Sequence, residues 1–247
     1  MSNTKDLIQQ LQKNNKEEHI KVFVPSKGST STFSPLTVRQ QKELIKTALD
    51  GTIAGVTLNQ AINDIITTND MDNTAFNIFD RYAVAIQLRS ACISKNYTGE
   101  DSDVTVDLDE HVKTSYNGKR VVQKAKIIKL GPISVSVDVP SISRDGKVNA
   151  VFTKNVSERE SAGDTISDLY IYEIVKFITK VTVGDEGDGY EFGTTNVQDC
   201  ARVVDNLPAS VNLKIVKYME DAREIENICL DVNGETINLD ASFFTTE

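Results

Sequence analysis

Apolar positions at the start of the chain fall first into a narrow helical stripe and then into strand alternation. Residues 4–14 carry Leu7, Ile8 and Leu11 on one face of a potential helix, and a polar run over 13–18 follows, so residues 1–19 read as a mobile or docking arm. Ile20-Lys-Val-Phe-Val24 alternates and ends at Pro25. Residues 26–31 supply a turn and Thr32-Phe33 begins a return strand, which predicts a small hairpin.

Helical spacing then takes over. Thr37 followed by Gln40 fits the reciprocal bonding of a capping box and starts a helix over 36–50, with Leu44, Ile45, Ala48 and Leu49 inward, Arg39, Lys42, Glu43 and Lys46 outward, and Gly51 as its stop. Thr57 with Gln60 is a second such pair, opening a helix over 57–68. Its apolar residues Leu58, Ala61, Ile62, Ile65 and Ile66 recur at the helical period. A third helix is expected over 75–95, because Phe76, Phe79, Ala83, Ile86 and Ile93 line one face while Ile78, Tyr82, Ala85 and Cys92 widen it. So wide a stripe implies burial from two sides.

From residue 103 the period changes to two. Val104, Val106 and Leu108 alternate with polar residues, as do Ile133, Val135, Val137 and Val139, and residues 120–130 supply another strand after a turn at Tyr116-Asn-Gly118. Residues 141–164, rich in Ser, Gly and charge, read as a loop leading to a helix over 166–178 striped by Ile166, Leu169, Tyr170, Ile174, Phe177 and Ile178. Residues 184–189 form an acidic turn. Pro208 opens a last helix with Val211, Ile215, Tyr218, Met219 and Ala222 inward. Strands over 228–232 and 235–239 flank Asn233-Gly234, a strong hairpin signal, and the chain closes on Ser242-Phe243-Phe244. There is no internal repeat.

These elements predict an α+β fold: a helical unit with a small N-terminal hairpin, an inserted antiparallel β region, and a C-terminal helix plus hairpin. The expected division is an arm over 1–19, hairpin and helices over 20–99, a β-rich insertion over 100–164, and a portion over 165–247 that packs on the helical unit.

Composition supports a packed body, with 39% hydrophobic and 26% charged residues among 247. Basic residues number 27 against 36 acidic, a net charge of -9, and no dense basic cluster offsets this in the sequence, so nucleic acid and anionic membrane are poor partners. Polar residues break every apolar run near the start, which argues against a signal peptide, and no segment approaches the ~18 apolar residues of a membrane span. Cys92, Cys200 and Cys229 are too far apart for paired metal sites and read as buried small hydrophobes.

Chemistry is sparse. The only imidazoles are His19, after a charged stretch, and His111, within Asp109-Glu110-His111, and both read as solvated. Patterns such as HExxH, GxSxG, GxGxxG and GxxxxGK[ST] are missing. Glu100, Asp101, Asp103, Asp107, Asp109 and Glu110 gather acid without the spacing of a calcium loop, and residues 185–189 fail the same test. Asp80 beside Arg81 reads as a buried ion pair that fixes helix packing. No catalytic residue, cofactor site or metal site is expected, and the activity expected is protein binding.

Three phrases carry a family likeness: Val24-Pro-Ser26; Phe33-Ser-Pro-Leu-Thr-Val-Arg-Gln-Gln-Lys-Glu-Leu-Ile45; and Asp80-Arg-Tyr-Ala-Val-Ala-Ile-Gln-Leu-Arg89. In this order, with a terminal Phe243-Phe244, the chain resembles the baseplate hub and hub-assembly proteins of contractile-tailed T-even-type bacteriophages. Residues 20–95 carry most of the likeness, 208–244 a weaker second part, and 100–164 none. The resemblance implies a non-enzymatic role in building the central hub of the tail baseplate, as a subunit or an assembly factor, in the host cytoplasm and in the virion tail. It implies other hub or tape-measure proteins as partners, with self-association. The residue pattern itself gives Leu7, Ile8, Leu11, Phe243 and Phe244 as the candidate partner-binding residues: the first three form the stripe of the arm, and the adjacent rings on a terminal strand point to opposite faces, one inward and one toward a partner. Two alternatives stay open: a tape-measure or tail assembly chaperone that leaves before the virion matures, and a carboxylate- or metal-dependent enzyme using Asp107 and Asp109.

Overall fold

A computed structural model of the chain describes residues 4–49, 53–98, 105–156, 162–184, 189–232 and 235–245. It is an α+β protein in which helices alternate with small antiparallel sheets. The packing forms two units, one of Met1–Val121 with Glu226–Glu247 and the other of Val122–Ile225. The boundaries therefore fall at 121/122 and 225/226, where the sequence pattern suggested 99/100 and 164/165.

The first unit opens with helix α1 (Thr4–Glu17) and the expected hairpin, β1 (Ile20–Val24) against β2 (Ser29–Phe33), with Ile20 opposite Phe33. Gly28 closes the turn at φ +67°, and a Cβ there would lie 2.6 Å from the Arg120 backbone nitrogen, so only glycine fits. Helix α2 (Val38–Leu49) carries the predicted capping box: the Gln40 amide N–H donates to Thr37 Oγ1 at 3.2 Å and the Thr37 N–H to Gln40 Oε1 at 2.9 Å. Leu44 is 3% exposed and shares a wall with Leu36, Ile62, Ile66 and Leu88, whereas Leu49 is 71% exposed, against expectation. Five residues turn a helix by about 140° beyond a full turn, which carries Leu49 off the covered face.

Helix α3 (Ala54–Asn69) starts before Thr57, so the second capping box is not a cap; the Thr57 hydroxyl lies within the helix and donates to the Ile53 carbonyl. The inward residues Ala61, Ile62, Ile65 and Ile66 are buried as predicted. In place of one helix over 75–95 there is a 3-10 turn at Ile78–Asp80, capped by Asn77, followed by α4 (Arg81–Cys92). Arg81 and everything from Ala83 through Arg89 are buried, making α4 the centre of this unit.

A short sheet follows, β3 (Asn96–Thr98) with β4 (Thr105–Asp107), then helix α5 (Leu108–Ser115) where alternation suggested that the strand continued. Asp107 turns the chain by accepting from the N–H groups of Asp109 and Glu110, and Leu108 and Val112 then bury one turn apart. Asn117 and Gly118 both have positive φ, so the expected turn exists, although it follows a helix. Val104 lies outside the described residues.

The second unit is built on one antiparallel sheet in the order β5-β6-β7-β8: β5 (Lys126–Leu130), β6 (Ile133–Val137), β7 (Ile178–Val183) and β8 (Tyr190–Glu191). Between β6 and β7 run helices α6 (Ile142–Val156) and α7 (Ala162–Phe177). Helix α6 replaces most of the expected 141–164 loop. Its buried face mixes Ile142, Val148 and Phe152 with Asp145 and Asn149, which hid the helical period. Asp145 is held by Lys176 at 3.0 Å and by Asn149 at 3.1 Å. Lys176 also pairs with Glu173, which pairs with Arg223.

On α7 the inward residues are Tyr172, Ile174, Val175 and Phe177, while Ile166 and Tyr170 of the expected stripe are exposed and Ile178 already belongs to β7. Helix α8 (Val197–Asp205) was not foreseen. Helix α9 (Ala209–Asn227) starts directly after Pro208 and buries Val211, Ile215, Tyr218, Met219 and Ala222 as predicted. Residues 185–188 of the acidic turn lie outside the described residues.

The chain then returns to the first unit. In place of two longer strands there is a 3-10 turn at Ile228–Leu230 and a pair of two-residue strands, β9 (Asp231–Val232) and β10 (Glu235–Thr236). Asn233 and Gly234 lie outside the described residues. A final 3-10 turn spans Ser242–Phe244.

Candidate functional site

The residues singled out for binding fall into two different settings. Helix α1 contains neither Gly nor Pro, and it places Leu7, Ile8 and Leu11 on one face at 52%, 48% and 59% exposure. Burying side chains of this kind is worth about 1.5–3 kcal/mol each, so the stripe holds binding free energy that this chain's own core does not use. The Lys13–Glu17 pair on the same helix is 3.9 Å apart and exposed, and adds little.

Phe243 and Phe244 are inside. They are 0% and 1% exposed, on a 3-10 turn where a terminal strand with one ring outward was expected. Asp240 fixes the turn by accepting from the Ser242 hydroxyl at 2.6 Å and the Phe243 N–H at 3.0 Å. The rings meet edge to face at 5.1 Å, Tyr97 packs on Phe243 at 5.4 Å, and the Arg89 guanidinium lies over the Phe243 ring at 5.0 Å.

The stretch Asp80–Arg89, one of the three phrases of the family likeness, is a set of buried polar clamps on the 3-10 turn and α4. Asp80 accepts from the Ser26 N–H and hydroxyl, both at 2.8 Å, and from the Asn77 N–H at 2.9 Å. Arg81 does not pair with Asp80; it donates to Glu226 at 2.8 Å and to Asn63 at 3.0 Å. The Gln87 amide accepts from the Phe23 N–H at 2.8 Å and donates to the Phe23 carbonyl at 2.9 Å. Arg89 donates to the carbonyls of Phe243, at 2.8 Å, and Asn96, at 2.9 Å. Each clamp ties a different chain segment to the same helix, so the motif's polar residues organise this unit. Only the Val24-Pro-Ser26 phrase hinted at this in sequence, through Ser26.

The remaining candidate chemistry is occupied locally. His111 Nε2 lies 2.9 Å from the Cys229 carbonyl, and His19 is exposed. Asp107 caps α5 and binds Lys95 at 2.6 Å, an ion pair that lowers its carboxyl below the usual range. Asp109 pairs with Lys113 at 2.6 Å. Burial raises all three thiols, that of Cys229 to about 12, which leaves them little thiolate at neutral pH. Among the described residues no group of three His, Cys, Asp or Glu side chains is placed to hold a metal ion; Glu100, Asp101 and Asp103 lie outside them. No described helix is long and apolar enough to cross a membrane.

What the geometry offers is an uncovered apolar stripe on α1 and, around α4, a set of buried polar clamps. A search of curated proteins and one of solved structures gave no match. A family model described as T4 bacteriophage base plate protein matches residues 16–234, most of the chain and all three phrases of the likeness, and the chain therefore belongs to the T4 bacteriophage base plate protein family.

Proposed function

We propose that this protein has no catalytic role and acts in assembly of the baseplate central hub, binding other hub proteins through α1. The observation that carries this is the stripe of Leu7, Ile8 and Leu11, left open beside a hairpin that buries Val22, Phe23, Val24 and Phe33 almost completely. An interface core needs such desolvatable side chains, and a few of them supply most of the affinity. Membership of a baseplate family supplies the class of partner. The place of action proposed is the host cytoplasm during assembly and then the virion tail.

The test is complementation. A phage lacking this gene should make heads but few complete tails, and wild-type protein should restore them. A variant carrying Leu7→Ser, Ile8→Ser and Leu11→Ser should melt at the wild-type temperature and fail to restore tails. Normal tails from the deletion phage would sink the proposal, and full rescue by the triple variant would remove α1 from it. Quantitative mass spectrometry of purified particles separates a hub subunit, present in fixed proportion, from a factor that departs.

A further inference from the structure

Strand β5 is an outer strand of the second unit's sheet and, among the described residues, pairs with β6 alone. The other outer strand, β8, has two residues, too short to hold a partner. Along β5, Ile128 points into the core, while Lys126, Ile127 and Lys129 are exposed, Ile127 at 61%. Between Glu110 and Asp138 the sequence has no acidic residue, although the whole chain carries -9. The lysines that looked scattered in sequence thus sit along one strand edge.

Lysines on an open edge normally prevent strand addition. Here they bracket an exposed isoleucine, which a purely protective edge would not place at its centre. Self-pairing of two β5 edges would set this lysine-bearing, acid-free segment against itself with no carboxylate to answer it, so a second copy is a poor occupant. An acidic strand is a good one. Residues directly opposite one another in neighbouring strands lie about 4.5–5.5 Å apart and interact on the same face. The order Lys126-Ile127-Ile128-Lys129 therefore asks for acid, apolar, apolar, acid, a pattern that reads the same in either strand direction.

We propose that β5 is a docking edge for an extended segment of a partner protein with an acid-apolar-apolar-acid run, added to the sheet as a further strand. Main-chain hydrogen bonds give such a complex its affinity and side-chain pairing its selectivity. This rests on the reading of the chain as a protein-binding baseplate component.

The experiment uses the full chain, isotopically labelled, with a short capped peptide containing Glu-Val-Val-Glu, a control of the same composition containing Val-Glu-Glu-Val, and a single-stranded oligonucleotide. The first peptide should shift the amide signals of residues 126–130 and slow their hydrogen exchange, and should bind about tenfold more tightly than the control, with affinity falling as salt rises. Lys126→Glu with Lys129→Glu should remove binding without changing the melting temperature; Ile127→Ser should weaken it and leave the charge unchanged. Equal binding of both peptides, shifts elsewhere than β5, or tighter binding of the oligonucleotide would each overturn the proposal. If peptide binding fails while the protein still restores tails to the deletion phage, only the β5 assignment is lost. If the peptide binds but deletion leaves tails normal, the baseplate role is lost instead.

Discussion

The side-chain amide of Gln87 does for Phe23 what another strand would do, accepting from its N–H and donating to its carbonyl inside the core. Gln87→Leu keeps a similar volume and orphans both backbone groups, so it should cost about 2–6 kcal/mol in urea denaturation, at about 1–3 kcal/mol for each buried unsatisfied group. A loss below about 0.5 kcal/mol, typical of surface changes, would show that water replaces the amide. Asp80 permits a test with a defined sign. Burial raises its carboxyl above the ordinary 3.8, against the pull of the bonds from Ser26 and Asn77 and the nearby Lys27 charge. A carboxyl raised in the folded state binds its proton more tightly there than in the unfolded chain. Its contribution is therefore largest below its unfolded value and declines as pH rises through the folded one. Relative to Asp80→Asn, the wild type should lose stability from about pH 4 upward, measured by denaturation at several pH values. The opposite slope would mean that the hydrogen bonds outweigh burial.

At the scale of elements, identical sequence signals had different outcomes, and the difference is measurable. Thr37 with Gln40 is a real cap, whereas Thr57 with Gln60 lies inside α3, because the helix gains stability by starting earlier and burying Val56. Thr37→Ala should cost about 1 kcal/mol and Thr57→Ala no more than a few tenths. Leu44→Ala should cost about 2–5 kcal/mol and Leu49→Ala under about 0.5, since only the first is covered; equal losses would show that Leu49 is packed in solution. The hairpin, α2, α3 and α9 were legible because apolar residues recur on their inward faces at the strand or helix period, even though Ser31, Asn63, Asn69 and Glu226 are buried with them. Helix α6 was not, because Asp145 and Asn149 sit on its buried face, and their partner Lys176 comes from α7. Helix α5 was hidden in the same way: Leu108 fits a strand's alternation equally well, and only the Asp107 cap turns the chain. The exposed stripe of α1 was readable from its spacing, whereas most of the clamps depend on distant partners, Phe243 lying 154 positions from Arg89, beyond any local pattern.

For the molecule as a whole, the second unit is an insertion within the first, larger than the β region that the sequence suggested and containing helices as well as strands. In the first unit, the outgoing chain is tied down where the Val121 N–H donates to the Pro25 carbonyl and Arg120 to the Ser26 carbonyl, both at 2.9 Å. The returning chain is tied down by Glu226 on Arg81 at 2.8 Å. Ser26 is bonded to Asp80, the residue next to Arg81, so one buried cluster holds both ends of the first unit's chain. The first unit should therefore fold without the second. A chain with residues 122–225 replaced by a short flexible linker should be soluble and keep a cooperative thermal transition with native near-ultraviolet circular dichroism. In that shortened chain Arg81→Met should be severely destabilising, by about 3–5 kcal/mol, because it leaves the Glu226 carboxylate buried without its cation. A linker chain that melts without cooperativity would show that the cluster closes only when the inserted unit is present, and an Arg81→Met variant as stable as its parent would show that the ion pair is not what holds the returning chain.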